Sequence, residues 1–270
     1  MKKSILKISF SLVALISGTS VFSQCPTVTC QNDTVLNNDA SSCGAIVNYI
    51  TPVGTNPCPD TTVTFNYTGT IDTWTVPAGV TFVTIEVRGA EGGTDGASSV
   101  PGGLGAIMIG DFTVTPGATL RILAGEMPAR NGGGGGSFVT DITNNPLIIA
   151  GGGGGSGAAN DSPNKHANIT TTGGTGSGGG GAGGTAGNGG TIGASFASGA
   201  GAGLLTDGQD GWTANTGGNA FVNGGAPTTA GWGLGGFGGG GNGSGNAVGG
   251  GGGGYSGGGA ASNSLGSGGV

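Results

Sequence analysis

The sequence predicts a mainly β protein. An antiparallel sandwich or jelly roll is joined to a bundle of polyglycine-II-like helices, behind a small disulfide-bearing N-terminal segment. Three observations carry this reading. Between residues 61 and 150, apolar and polar residues alternate in short stretches separated by Gly/Pro turns. From 151 to 270, 50 of 120 positions are glycine, and 151–155 and 249–254 are uninterrupted runs. After the first 23 residues, no stretch has a helical period long enough to assign.

Residues 1–23 read as a secretory signal. Lys2, Lys3 and Lys7 give the positive start, residues 8–16 the apolar stretch, and Val21-Phe22-Ser23 a small-residue cleavage site that leaves Gln24 first. The stretch is too short for a membrane span, and none is expected in the mature chain. Gln24 before Cys25 is a poor fit for lipoprotein processing. The mature chain keeps Arg88, Arg121, Arg130 and Lys165, so four basic residues minus thirteen acidic ones give a net charge of −9. That excludes the basic footprint of a nucleic-acid binder and electrostatic docking to an anionic membrane. Its plain reading is solubility outside the cell.

Residues 24–62 hold all four cysteines: Cys25, Cys30, Cys43 and Cys58. An even count in an exported chain reads as disulfides, with three pairings open. No CxxC pair supports the rival zinc reading. Residues 63–150 form the sandwich part. Val63, Phe65 and Tyr67 alternate as a half-buried strand requires, and Trp74 and Val76 lead to a turn at Pro77-Ala78-Gly79. Val83, Ile85 and Val87 mark one face of a longer strand. Ile107, Ile109, Phe112 and Val114 precede a second turn at Pro116-Gly117. Leu120, Ile122, Leu123, Phe138, Val139 and residues 147–149 complete the set.

Disorder is the default for the composition of residues 151–270. Uninterrupted glycine runs, low charge and recurring bulky residues weigh against it. Among the bulky residues are Phe196, Leu204, Trp212, Phe221, Trp232, Phe237 and Tyr255. No sustained Gly-X-Y period supports collagen. The structured reading is left-handed polyglycine helices of three residues per turn, packed side by side and exchanging backbone hydrogen bonds. Glycine loses more backbone freedom on ordering than any other residue, so such helices need a framework, which the β-segment supplies.

Two resemblances sharpen this picture. Thr29-Cys30, residues 35–40, residues 43–49 and residues 51–55 resemble the first half of a hyalin repeat, an immunoglobulin-like extracellular module. That resemblance implies a Cys43–Cys58 disulfide and leaves Cys25 for Cys30. Residues 70–81 and 85–93, the run 132–136 with Ser137-Phe138-Val139, residues 147–155, Gly203-Leu204-Leu205, residues 236–241 and residues 249–258 resemble a bacterial extracellular glycine-rich domain. The same arrangement is known in the ectodomains of the anaplastic lymphoma kinase and leukocyte tyrosine kinase receptors. The resemblance covers residues 63–270 and implies a tumour-necrosis-factor-like sandwich joined to polyglycine helices. Domains of this kind close with a further glycine–aromatic segment and a final strand. Because the sequence stops at Val270 without one, the resemblance implies a truncated domain lacking an edge or central strand.

Few side chains point to chemistry. Gly254-Tyr255-Ser256-Gly257-Gly258 satisfies a serine-hydrolase elbow, but the only histidine, His166, lies upstream and no helix follows. His166 lies in a polar break read as a solvated loop tip. Asp207 and Asp210 offer oxygens suited to calcium, but a turn fits their spacing better. Glu86, Glu91 and Glu126 show no pairing for acid–base work, and no phosphate-binding Gly-Lys-Ser/Thr is present. Trp212, Trp232, Phe237 and Tyr255 read either as a binding face or as packing between glycine helices and sandwich.

The expectation is an exported, non-enzymatic protein at the bacterial cell surface or in the medium, without catalytic, cofactor or metal residues. It would act by adhesion to a protein or glycan through a rigid glycine-rich platform. One alternative is an extracellular ligand-recognition module as in the receptor ectodomains, without their kinase domain. Another is an ice- or surface-binding protein.

Overall fold

A computed structural model describes residues 5–10, 27–29, 53–55, 61–94, 100–157, 163–193, 198–245, 248–262 and 268–270; the first three stretches are described as backbone only. The cysteines and most of the hyalin-like segment lie outside these residues. The described part of that segment is a two-stranded antiparallel pair, β2 (Thr27–Thr29) with β3 (Val53–Thr55).

The chain is mainly β, and among the described residues every strand pairing is antiparallel. β1 (Ile5–Phe10), β4 (Thr61–Asn66), β6 (Phe82–Arg88) and β7 (Ile107–Thr113) form a sheet in the order β4-β1-β6-β7. β5 (Asp72–Thr75), β8 (Thr119–Leu123), β9 (Ser137–Asp141) and β10 (Pro146–Ala150) form a second, in the order β10-β9-β8-β5. Alternation decides which residues face inward. Val83, Ile85 and Val87 of β6 are fully buried, and they share one core with Leu120, Ile122, Val139, Ile148 and Ala150 of the second sheet. Val63, Phe65 and Trp74 pack at its margin. On β7 the inward positions belong to Met108 and Phe112, whereas Ile107 and Ile109 are exposed on the other face. Gly110 stands opposite Ile85, and the Phe112 ring takes the space a side chain there would need.

Two turns follow directly from their residues. Val80 N–H donates to Pro77 O (3.2 Å) and Ala118 N–H to Thr115 O (3.0 Å). The third residue of each turn, Gly79 (φ 84°) or Gly117 (φ 83°), takes the left-handed conformation of a type II turn. The β9–β10 connection instead turns on Asp141. Its Oδ1 accepts from Thr143 N–H (2.7 Å), Thr143 Oγ1 (2.7 Å) and Asn145 N–H (2.9 Å). These bonds, with that of the Thr143 hydroxyl contributing most, hold the Asp141 carboxyl at a pKa of about 2.

The second sheet is buried on both sides. Leu123, Phe138 and Ile149 turn away from the first core and pack with Leu204, Phe221 and Phe237 of the glycine-rich half. Phe138 stacks on Phe221 at 5.0 Å between centroids, and the Arg121 guanidinium lies 5.1 Å from the same ring.

Beyond this cluster the glycine segments meet backbone to backbone, and the direction of bonding changes with each residue. Gly250 and Gly253 donate to Asn131 and Gly134; Gly251 and Gly254 donate to Gly199 and Ala202. The carbonyls of Gly250 and Gly253 accept from Gly155 and Gly152. Positions three apart therefore bond to the same neighbouring segment. Run 151–155 behaves alike: the carbonyls of Gly151 and Gly154 accept from Ala106 and Gly103. A Cβ on Gly252 would lie 2.2 Å from Gly152 O, well inside van der Waals contact. Only glycine lets these backbones approach.

Replacing Gly252 by alanine is expected to destabilise the fold by more than about 2 kcal/mol, because backbone on the far side has nowhere to move. Gly117→Ala meets open space and strains only a left-handed turn, so about 1 kcal/mol is expected. Denaturant unfolding of both variants distinguishes packing from turn strain; equal losses would contradict the close-approach account. Asp141 gives an acid signature. Its folded pKa lies below the ordinary 3.8, so its stabilisation is present above that value and lost as pH falls towards about 2. Thermal melts of Asp141→Ala should show less stability at neutral pH and a shallower decline over that acid window.

Candidate functional site

The described surface has a cleft of about 410 Å³ where the sheets meet the glycine-rich half. It is lined by Tyr67, just past β4, by Glu126 and Arg130 on the connection leaving β8, and by Trp232 and Leu234 from the glycine-rich half.

The floor is fixed by backbone bonds. Glu126 N–H donates to Phe237 O (2.9 Å), Phe237 N–H returns a bond to the Glu126 carboxylate (3.1 Å), and Gly135 N–H donates to Glu126 O (3.0 Å). A Cβ on Gly236 would lie 2.1 Å from the backbone carbonyl O of Glu126, so a glycine is needed where the chain passes that peptide group. Buried Asn131 anchors the base of the Arg130 loop by donating to Gly245 O (2.9 Å) and Val248 O (3.1 Å). Trp232 follows Gly231 (φ 102°) and precedes Gly233, which exchanges two bonds with Gly243.

The rim is exposed and chemically mixed. Trp232 is 67% exposed, with the Arg130 guanidinium 5.7 Å from its ring centroid. Tyr67 packs at a tilt against Phe237, 6.0 Å away, beside the Glu126 carboxylate. Burial, and then the negative Glu126 beside it, push the Tyr67 hydroxyl up to about 12. The phenol therefore stays a neutral hydrogen-bond donor at physiological pH. Two aromatic rings, one carboxylate and one guanidinium are suited to stacking and to hydrogen bonds with hydroxyl or amide groups. The lining includes no serine, cysteine or histidine.

The four aromatics singled out in the sequence separate. Trp232 lines this cleft and Trp212 is exposed elsewhere in the glycine-rich half, 78% accessible. Phe237 is buried in the second core cluster and Tyr255 is half-buried at its edge. Tyr255 also borders an apolar groove of about 320 Å³ with Met108, Leu147, Ile169 and Val270. Tyr67, Glu126 and Arg130 carried no functional signal in the sequence: Tyr67 read as a strand residue and Glu126 as an unpaired acid. Their association with Trp232 depends on glycine segments crossing over one another, which no local spacing records.

The remaining motifs are structural. Ser256 is buried, donates to Thr171 O (2.8 Å) and accepts from Gly187 N–H (3.2 Å). The Asp207 carboxylate accepts from Ala220 N–H (2.7 Å) and Asn223 Nδ2 (2.9 Å), and Asp210 accepts from Thr216 and Gly217 N–H (both 2.8 Å). Both aspartates thus tie turns together. The segment expected as a solvated loop tip is packed instead. Lys165 is 1% exposed and donates to Pro101 O (3.0 Å), while His166 Nδ1 accepts from Leu104 N–H (2.9 Å). The buried lysine head thus finds a carbonyl acceptor. Among the described residues, no group of three or more His, Cys, Asp or Glu is placed to hold a metal, and no helix is long and apolar enough to cross a membrane.

Compared with known proteins, the chain matches no family model and no curated protein. The cleft chemistry makes one prediction of its own. A tyrosine with a raised folded pKa contributes stability that is full below the ordinary value of 10.0 and lost as pH rises towards about 12. Tyrosinate absorbance should show one of the three tyrosines titrating late. Tyr67→Phe should remove that late step and flatten the alkaline loss of thermal stability; a variant melting like wild type across this window would refute the assignment.

Proposed function

We propose that the protein is exported and acts as a non-enzymatic recognition module at the cell surface or in the medium, binding a glycan. The observation that carries this reading is the cleft of Tyr67, Glu126, Arg130 and Trp232. It presents a largely exposed indole and three polar groups above a floor held by backbone hydrogen bonds. An indole face stacks on the apolar face of a sugar, and a neutral phenol, a carboxylate and a guanidinium hydrogen-bond its hydroxyls. A floor already ordered before binding lowers the entropic cost of complex formation.

Several finer readings belong to the same proposal. The two sheets form a sandwich, supported by their shared core. The glycine segments are polyglycine helices of three residues per turn, supported by the three-residue recurrence of bonding partners. Residues 1–23 are the export leader, and residues 24–62 carry Cys43–Cys58 and Cys25–Cys30 disulfides, a reading that rests on the hyalin-repeat resemblance. Extracellular recognition with no catalysis agrees with the acidic mature chain and its sparse reactive side chains.

Glycan-array binding of the purified protein, followed by calorimetry on the best binder, tests this. Trp232→Ala and Glu126→Gln should each weaken binding by about tenfold or more, and Trp212→Ala should leave it unchanged. Trp232→Ala should unfold like wild type, because its ring is largely outside the core. Absence of any glycan ligand, or equal loss in the Trp212 variant, would sink the reading.

A further inference from the structure

We propose that the glycan taken by the cleft of Tyr67, Glu126, Arg130 and Trp232 is acidic, and that Arg130 pairs with its oxyanion, a carboxylate or a sulfate. The proposal rests on the glycan-binding reading and names the substrate class of that site.

Beyond residue 23 the chain has four cations: Arg88, Arg121, Arg130 and Lys165. Three are engaged inside the fold. Arg88 Nε donates to the Glu86 carboxylate (2.6 Å). Arg121 donates to Asn144 Oδ1 and lies over the Phe221 ring. Lys165 is buried and donates to Pro101 O (3.0 Å). Arg130 is different. It is exposed, it lines the cleft, and its guanidinium lies 5.7 Å from the Trp232 ring centroid. No carboxylate among the described residues forms an ion pair with it, although Glu126 lines the same cleft.

A guanidinium and an indole so placed can serve one ligand together. Stacking uses the flat face of the guanidinium, so its N–H rim stays available for hydrogen bonds. An oxyanion accepts two of those N–H groups in parallel, and charge on both partners makes the bonds stronger than those to a neutral hydroxyl. A pyranose stacked on Trp232 carries its substituents past the edge of the indole, within reach of the neighbouring guanidinium. Glu126 does not stand in the way. Its carboxylate accepts from Phe237 N–H (3.1 Å) and sits beside the Tyr67 phenol. Carboxylate and guanidinium therefore meet different parts of the ligand: Glu126 accepts from a hydroxyl, and Arg130 holds the charge. A wholly neutral sugar gains nothing from the positive charge.

The test starts from a glycan array holding neutral, uronic, sialylated and sulfated oligosaccharides, with calorimetry on the tightest binder. That binder is then neutralised by methyl esterification of its carboxylates or by desulfation, which separates the two oxyanions. The expected tightest binder is acidic, and one of the two treatments weakens it by about tenfold or more. Arg130→Gln should weaken the acidic form by a similar factor and leave the neutralised form nearly unaffected, because the pair is then already lost. Arg130→Lys keeps the charge without the planar fork, so it should retain part of the preference. Arg88→Gln, which removes a cation outside the cleft, should change neither form's binding. A neutral tightest binder that still depends on Trp232 would overturn the acidic assignment and leave glycan recognition intact. Equal losses from Arg130→Gln on the acidic and neutralised ligands would sink the pairing. No binding to any glycan, or binding indifferent to Trp232→Ala, would remove the glycan reading itself and the acidic assignment with it.

Discussion

The structure depends on backbones touching without side chains between them. A Cβ on Gly153 would lie 1.9 Å from Gly103 O, and one on Gly135 would lie 1.7 Å from Phe237 O. At such separations one chain's N–H reaches the next chain's carbonyl, and buried polar backbone is satisfied without a sheet ladder or an α-helix. The arrangement is finely balanced. Ordering a residue's backbone costs about 1–2 kcal/mol, glycine about 0.5–1 kcal/mol more than alanine, and each hydrogen bond returns about 0.5–1.5 kcal/mol net. A glycine network alone is therefore unfavourable, and something else must fix it in place.

That anchor is the second core cluster. Phe138 and Leu123 present the far face of the second sheet to Phe221, Leu204 and Phe237, so these buried side chains of the glycine-rich half lie where it meets the sheet. The same contact shapes the cleft. Phe237 is buried, but its backbone exchanges two bonds with Glu126, which sets the carboxylate beside Tyr67. Core and cleft thus share one residue: the ring faces inward and the peptide group bonds to Glu126.

Much of the β-segment was legible in the sequence. Val83, Ile85 and Val87 marked a core face by alternation alone, and Pro77-Ala78-Gly79 and Pro116-Gly117 marked turns because a left-handed third position needs glycine. β7 was less legible. Its two isoleucines point outward, since the Phe112 ring, reaching over Gly110, fills the inward space. The packed Lys165 and His166 were hidden for a related reason: a polar segment reads as solvent-facing unless its partners, here Pro101 and Leu104, are known. Of the cleft, only Trp232 could be read. Glycine segments carry no side-chain pattern, so nothing in their sequence says which of them cross.

Sparse side chains also bear on how the proposed recognition site would be built. A surface woven from glycine has little chemistry of its own, and it cannot adapt by rotamer changes because it has no rotamers. Whatever specificity the glycine-rich half has must come from residues held out of the network by short loops. Trp232 sits between Gly231, in a left-handed conformation, and Gly233, which is doubly bonded to Gly243. Arg130 is held similarly, by the buried Asn131 next to it. Most of the entropy of forming such a site is spent in folding, where it is offset by the sheet core, and little is left for binding. The scaffold should tolerate substitution at the rim far better than at the floor: a rim change would alter only contacts with the proposed ligand, whereas a methyl group on Gly236 collides with the Glu126 carbonyl.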